Sequence, residues 1–182
     1  MRSGEQDRIM FCGFGGQGIV LIGVILGRAA VNDGLNVAQA ASYGSEARGS
    51  ATSSEVIISR EKIIYPHIRQ ADILGAMNQQ GYDKFHAKVV KQSGIIAYDE
   101  SMVRIDRTLP YTQVGFPATE TAIKEFDKKM TANIIFLSAI VKMTGMVSKE
   151  GLKAAIIENV PEKYTVLNLR ALELGWGMGG KV

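Results

Sequence analysis

Residues 12–20 read CGFGGQGIV, with four glycines in the six positions 13–18. An apolar run, Ile9-Met10-Phe11, precedes them and a longer one, from Ile19 to Ala30, follows. Glycine weakens helices and strands alike, so a cluster of it between two apolar segments marks a tight connection. Gly13, Gly15 and Gly18 fit G-x-G-x-x-G in the context that pattern requires, a strand before and a helix after. There Gly13 permits the turn, Gly15 a close approach to the backbone and Gly18 close packing of helix on strand, while Gly16 adds a bare amide. Amides at a helix N-terminus attract anions through their free N–H groups and the helix dipole. The stretch therefore predicts an anion-binding turn, with Gln17 either donating to the ligand or capping the turn. The alternative is a tight strand-to-helix connection that binds nothing.

Outward from this turn, strands alternate with helices. Residues 8–12 read as a short buried strand and Ile19–Asn32 as a helix that Gly34 ends. Further strands are expected at 36–40, 52–59, 71–77, 94–98 and 113–116, the second of these with one wetter face. Helices are expected at about 79–91 and 118–128. This alternation predicts an α/β fold: a three-layer, Rossmann-like domain with a mainly parallel sheet and a helical C-terminal third. In that last third, 132–144 is apolar nearly all round, so it must be buried on every side, within this chain or against a partner. Ser148 is a suitable N-cap for a helix to Asn159. Pro161 is placed to start another, which Gly175 stops after Leu174. The 182 residues read as a single domain, 1–182, with a flexible tail at 176–182.

Composition removes several function classes. The formal charge is +3 and hydrophobic residues make up 46%, with no basic stripe of the kind a nucleic-acid surface needs. One cysteine, Cys12, excludes an internal disulfide and a four-cysteine cluster. His67 and His86 show no zinc-ligand spacing, and no G-x-S-x-G elbow is present. The N-terminus is too polar for a signal peptide, and no apolar run reaches the ~20 residues that span a bilayer. The expected location is the cytoplasm, with neither nucleic acid nor membrane as partner. Cys12 reads as a small buried hydrophobe, against the alternative of a thiol activated by the helix terminus. Asp72 reads as structural. Asp99 and Glu100 are placed at the sheet edge without a catalytic role. No catalytic and no metal-ligating residue is assigned.

A nicotinamide site has an acid about twenty residues after the glycines to hold the ribose. Residues 37–44, VAQAASYG, contain none. The next motif is SYGSEARGSATSSEVIIS, 42–59. If the second strand runs parallel to the first, 42–49 leaves the sheet at the same carboxyl edge as the glycine turn, where ligands of open α/β sheets sit. Tyr43, Glu46 and Arg48 would then stand beside Gly13, Gly15, Gly16, Gln17 and Gly18 as one cofactor-binding group. The alternative is an exposed loop with a weak ion pair.

GFGGQGIV (13–20), SYGSEARG (42–49) and SEVIIS (54–59) together resemble the gamma subunit of 2-oxoacid:ferredoxin oxidoreductases. The likeness continues through YPHIRQADILGAMNQ (65–79), ATETA (118–122), the Asn133 helix with AIVKMTG (139–145), and NLRALELG (168–175). EARG, SEVIIS and I-x-Y-P look most like the 2-oxoglutarate branch, with pyruvate enzymes close by. The resemblance implies one subunit of an enzyme that oxidatively decarboxylates a 2-oxoacid to an acyl-coenzyme A. Thiamine diphosphate, Mg²⁺ and iron–sulfur clusters are then held by alpha and beta subunits, or by a small delta subunit, and ferredoxin or flavodoxin accepts the electrons. It also implies that this chain binds no cofactor by itself, is inactive and self-associates when isolated, and meets coenzyme A as co-substrate, a partner subunit, or both. Two alternatives stay open at this point: an independent Rossmann-type nucleotide-dependent oxidoreductase, and a purely structural subunit.

Overall fold

The computed structural model describes residues 6–42, 51–89 and 93–180. In chain order these form β1 (Asp7–Phe14), α1 (Ile19–Asn32), β2 (Asn36–Ser42), β3 (Ala51–Ser59), β4 (Ile73–Ala76), α2 (Gln79–Phe85), β5 (Ile95–Asp99), β6 (Thr112–Phe116), α3 (Ala118–Phe126), α4 (Ala132–Thr144), α5 (Lys149–Asn159) and α6 (Thr165–Gly179). The strands make one sheet in the order β2-β3-β1-β4-β5-β6. β1, β4, β5 and β6 pair in parallel, and β3 is antiparallel to both of its neighbours. β2 therefore points the same way as β1 but lies one strand removed from it.

This order corrects one expectation and explains an absence. The polar residues of 52–59 suggested a wetter face, yet β3 is buried along almost its whole length. It is an interior strand covered on both sides, and its small polar groups are accommodated locally: Ser54 Oγ accepts from Gln39 Nε2 at 3.2 Å. Because β3 separates β2 from β1, the end of the second strand does not adjoin the glycine turn. A ribose-binding acid there would be out of place.

The sheet's two faces differ. On one, Ile9, Phe11, Val56 and Ile58 pack beneath α1 and α4 in a large core that also takes in α3, α5 and α6. On the other, Met10, Cys12, Ile57, Leu74 and Ile96 lie under the short α2, with Tyr82 and Phe85, and under irregular segments that contribute Ile68 and Val103. All ten residues from Ala132 to Val141 are buried, so α4 is enclosed within this chain. α6 covers it and does not stop at Gly175. It continues to Gly179, because Gly175 and Gly179 press against the carbonyls of Ile135 and Ala139, where a Cβ would have no room. Gly175 thus serves close helix packing, and 176–179 form helix in place of the expected flexible tail.

Ser148 caps α5 as expected, accepting from Gly151 N at 2.9 Å. Asp72 is structural: its carboxylate takes the Arg8 backbone N–H at 2.9 Å and two guanidinium N–H groups at 3.0 and 2.9 Å, tying β1 to the start of β4.

Candidate functional site

The turn from β1 to α1 lies at the carboxyl edge of the parallel strands, and its four glycines have four different environments. A Cβ on Gly13 would stand 2.6 Å from both Gln17 Oε1 and Ile19 Cδ1. Gly18 has φ 74°, the left-handed region that favours glycine, and a Cβ there would meet the Asn133 side-chain nitrogen. Gly16 has φ 89° with open space above it. Gly15 has no positive φ, and nothing lies within 4 Å of where its Cβ would be. Gly13 and Gly18 are therefore required by packing and Gly16 by backbone conformation. Gly15 is required by nothing in the described residues.

Gln17 acts inside the turn. Its Oε1 accepts from Phe14 N at 2.6 Å and its Nε2 donates to the Met77 carbonyl at 3.1 Å, pinning the turn to the end of β4. The Phe14 amide is thus used internally. Among the described residues no hydrogen bond takes up the amides of Gly15, Gly16 and Gly18.

The structure brings Gly13, Gly15, Gly16, Gln17 and Gly18 together. Tyr43, Glu46 and Arg48 lie outside the described residues. The strand ends that flank them can be placed: Ala51 pairs with Phe14, and Ser42 pairs with Ser53, itself opposite Cys12. Both ends are at the edge that carries the glycine turn.

Beside the turn is a cavity of about 350 Å³, lined by Gly16, Gln17, Met77, Met102, Thr119, Lys129, Met130 and Ala132. A second, of about 570 Å³, shares Met102, Thr119 and Lys129 with it and adds Ser101, Glu120, Ile123 and Lys124. Gly16 and Gln17 follow β1, Met77 follows β4, Ser101 and Met102 follow β5, Thr119 and Glu120 open α3 after β6, and Lys129, Met130 and Ala132 lie at the start of α4, while Ile123 and Lys124 sit in the second half of α3. Sequence reasoning named only the glycine-turn members of this set. The signal that could have found the others is positional: the residues just past each parallel strand face the same crevice.

Asp99, at the end of β5, builds the crevice wall. One oxygen accepts from Thr119 N at 2.8 Å and Thr119 Oγ1 at 2.7 Å; the other accepts from Ser101 N at 3.1 Å and Ser101 Oγ at 2.7 Å. It is fully buried with both oxygens engaged, which is the geometry of a brace for α3. Cys12 is buried beneath α2, and desolvation pushes its thiol up to about 12. It is an inert apolar contact at neutral pH. No three His, Cys, Asp or Glu side chains among the described residues group so as to hold a metal ion, and no described helix is long and apolar enough to cross a membrane.

A 2-oxoglutarate synthase subunit KorC from Methanocaldococcus jannaschii is 42% identical over 174 residues, covering 94% of this chain and 92% of the relative. A KorC subunit from Archaeoglobus fulgidus is 34% identical, covering 98% and 90%. Among solved structures, the gamma subunit of a keto/oxoacid ferredoxin oxidoreductase from Geobacter sulfurreducens superposes with a TM-score of 0.85 at 37% identity, over 97% of this chain and 99% of that one. The same fold occurs, at 22% identity and a TM-score of 0.86, within a 2-oxoglutarate:ferredoxin oxidoreductase chain from Magnetococcus marinus, of which it makes up 32%. Residues 8–177 match the pyruvate ferredoxin/flavodoxin oxidoreductase family. With this sheet order, this glycine turn and these relatives, the chain belongs to the pyruvate ferredoxin/flavodoxin oxidoreductase family.

Proposed function

We propose that this chain is the gamma subunit of a 2-oxoacid:ferredoxin oxidoreductase acting on 2-oxoglutarate, and that it offers its carboxyl edge to the phosphates of coenzyme A. The observation that carries the second half is Gly15: a glycine for which the described residues set no steric or conformational need, next to amides that nothing among them takes up. Close approach by an outside group accounts for both. The substrate reading follows the KorC relatives at 42% and 34% identity, and the Magnetococcus marinus enzyme is described with 2-oxoglutarate, coenzyme A and succinyl-CoA bound. Arg48 is the planar cation assigned to the same phosphates. Thiamine diphosphate, Mg²⁺, the iron–sulfur clusters and the contact with ferredoxin belong to partner subunits in the cytoplasm. Those relatives are themselves described as subunits, which favours this reading over an independent nucleotide-dependent oxidoreductase.

In the reconstituted complex, Gly15→Val should raise the coenzyme A KM by about tenfold or more, at 1.4 kcal/mol per decade. Exchange of CO2 into 2-oxoglutarate without coenzyme A should be unchanged. Normal assembly with unaltered coenzyme A kinetics would refute the phosphate contact. Failure of the variant to assemble would assign the turn to a subunit interface.

A further inference from the structure

The two cavities beyond the glycine turn have a chemical polarity of their own. The inner one has three thioethers in its lining, Met77, Met102 and Met130, and one charged side chain, Lys129. The outer one adds Lys124 and Glu120. Neither Lys124 nor Lys129 forms an ion pair among the described residues, although four such pairs occur elsewhere on the chain. Glu120 and Lys124 stand one helical turn apart on α3, so Glu120 offsets one of the two cations and leaves the cleft with a single excess positive charge. Between Met130 and Ala132, Thr131 is fully buried and its hydroxyl has no hydrogen-bond partner among the described residues. The inner cavity thus presents a flexible, polarizable thioether lining, and one cation, Lys129, belongs to the lining of both cavities.

We propose that this cleft seats an extended, flexible arm of the ligand that carries an anionic group at one end, and that Lys129 is the residue that binds the anion. Lys124 contributes a weaker second interaction, tempered by Glu120. The inference rests on the reading that coenzyme A meets this edge. It adds that recognition does not stop at the glycine turn and Arg48 but continues through Met77 and Met102 to Lys129. A lysine suits the position because an ammonium on a four-carbon stem can follow a mobile phosphate, whereas bidentate fixing by a guanidinium is not needed.

Two measurements on the assembled complex test it. Lys129→Gln should raise the coenzyme A KM about tenfold, the change expected from losing one charge-assisted hydrogen bond, with kcat at saturation and coenzyme-A-independent CO2 exchange unchanged. Lys129→Arg should recover most of the affinity, and Lys124→Gln should give about a threefold rise. Independently of any variant, saturating desulfo-coenzyme A should protect Lys129 from acylation by an amine-reactive ester, read by mass spectrometry. Lys88, on the opposite face of the sheet, should react equally with and without ligand. If Gly15→Val impairs coenzyme A use while Lys129→Gln does not and Lys129 is unprotected, this inference fails and the glycine-turn reading stands. If neither variant alters coenzyme A kinetics and no lysine is protected, both fail.

Discussion

Gly18 and Gly15 lie three residues apart in one turn, and the structure assigns them opposite costs on substitution. For Gly18→Ala the new Cβ must occupy the left-handed region at φ 74°, which costs an L-residue about 1–2 kcal/mol. It must also displace the Asn133 side chain, which is 5% exposed and whose Oδ1 holds the Ile134 N–H at 2.8 Å. Forcing a buried neighbour aside adds about 1–3 kcal/mol. The loss of unfolded-state freedom returns about 0.4–1 kcal/mol. The net destabilisation is about 1–4.5 kcal/mol, which for a chain of this size lowers Tm by roughly 2–18 °C. Gly15→Ala meets neither penalty and should stay within about 0.5 kcal/mol of the parent. Thermal unfolding of the two variants beside the parent, followed by far-UV circular dichroism in one buffer, compares them directly. Equal Tm losses in the two variants, or a larger loss for Gly15→Ala, would refute the assignment of Gly18 to packing and Gly15 to an outside contact.

Cys12 should be silent towards a thiol reagent at pH 8 in the native chain and react fully once denatured, since burial keeps the thiol protonated; native reactivity would contradict its placement under α2. Because its folded pKa is raised from 9.0 to about 12, the folded state holds the proton more tightly. Its contribution is complete below pH 9 and is lost as pH rises from 9 towards 12, at about 1.4 kcal/mol per pH unit. Urea unfolding of the parent and of Cys12→Ala across that range should show the steeper decline only in the parent. Asp99→Ala should cost about 3–5 kcal/mol in urea unfolding, because it strands the buried Thr119 N–H and releases the start of α3; Asp99→Asn, which keeps an acceptor, should lose less.

Local signals in the chain were strong where one neighbour decides the conformation. α1, α4 and α5 were readable to their termini, because an apolar stretch meets a stop or cap residue close by: Gly34 and Gly145 in the left-handed region, and Ser148, whose hydroxyl oxygen accepts from Gly151 N. The glycine turn was readable for the same reason. The end of α6 was not, since Gly175 looks like a terminator in isolation and becomes a packing residue only when α4 brings the Ile135 carbonyl against it. The polar run in β3 likewise read as solvent-facing until its position between β2 and β1 was known.

By itself the sequence determined the alternation of strands and helices, the single buried thiol, and the turn that marks the site. Each rests on residues adjacent along the chain, whose torsional and hydrophobic preferences act without reference to the rest of the fold. Only the tertiary structure decided that β3 lies antiparallel between β2 and β1, that Gln17 is spent on Phe14 and Met77, and that Met77, Met102, Thr119 and Lys129 line one cleft. Those facts depend on strand pairing and on which ends share an edge. They are set by burial of both sheet faces at once, a condition on the whole chain that no short stretch expresses.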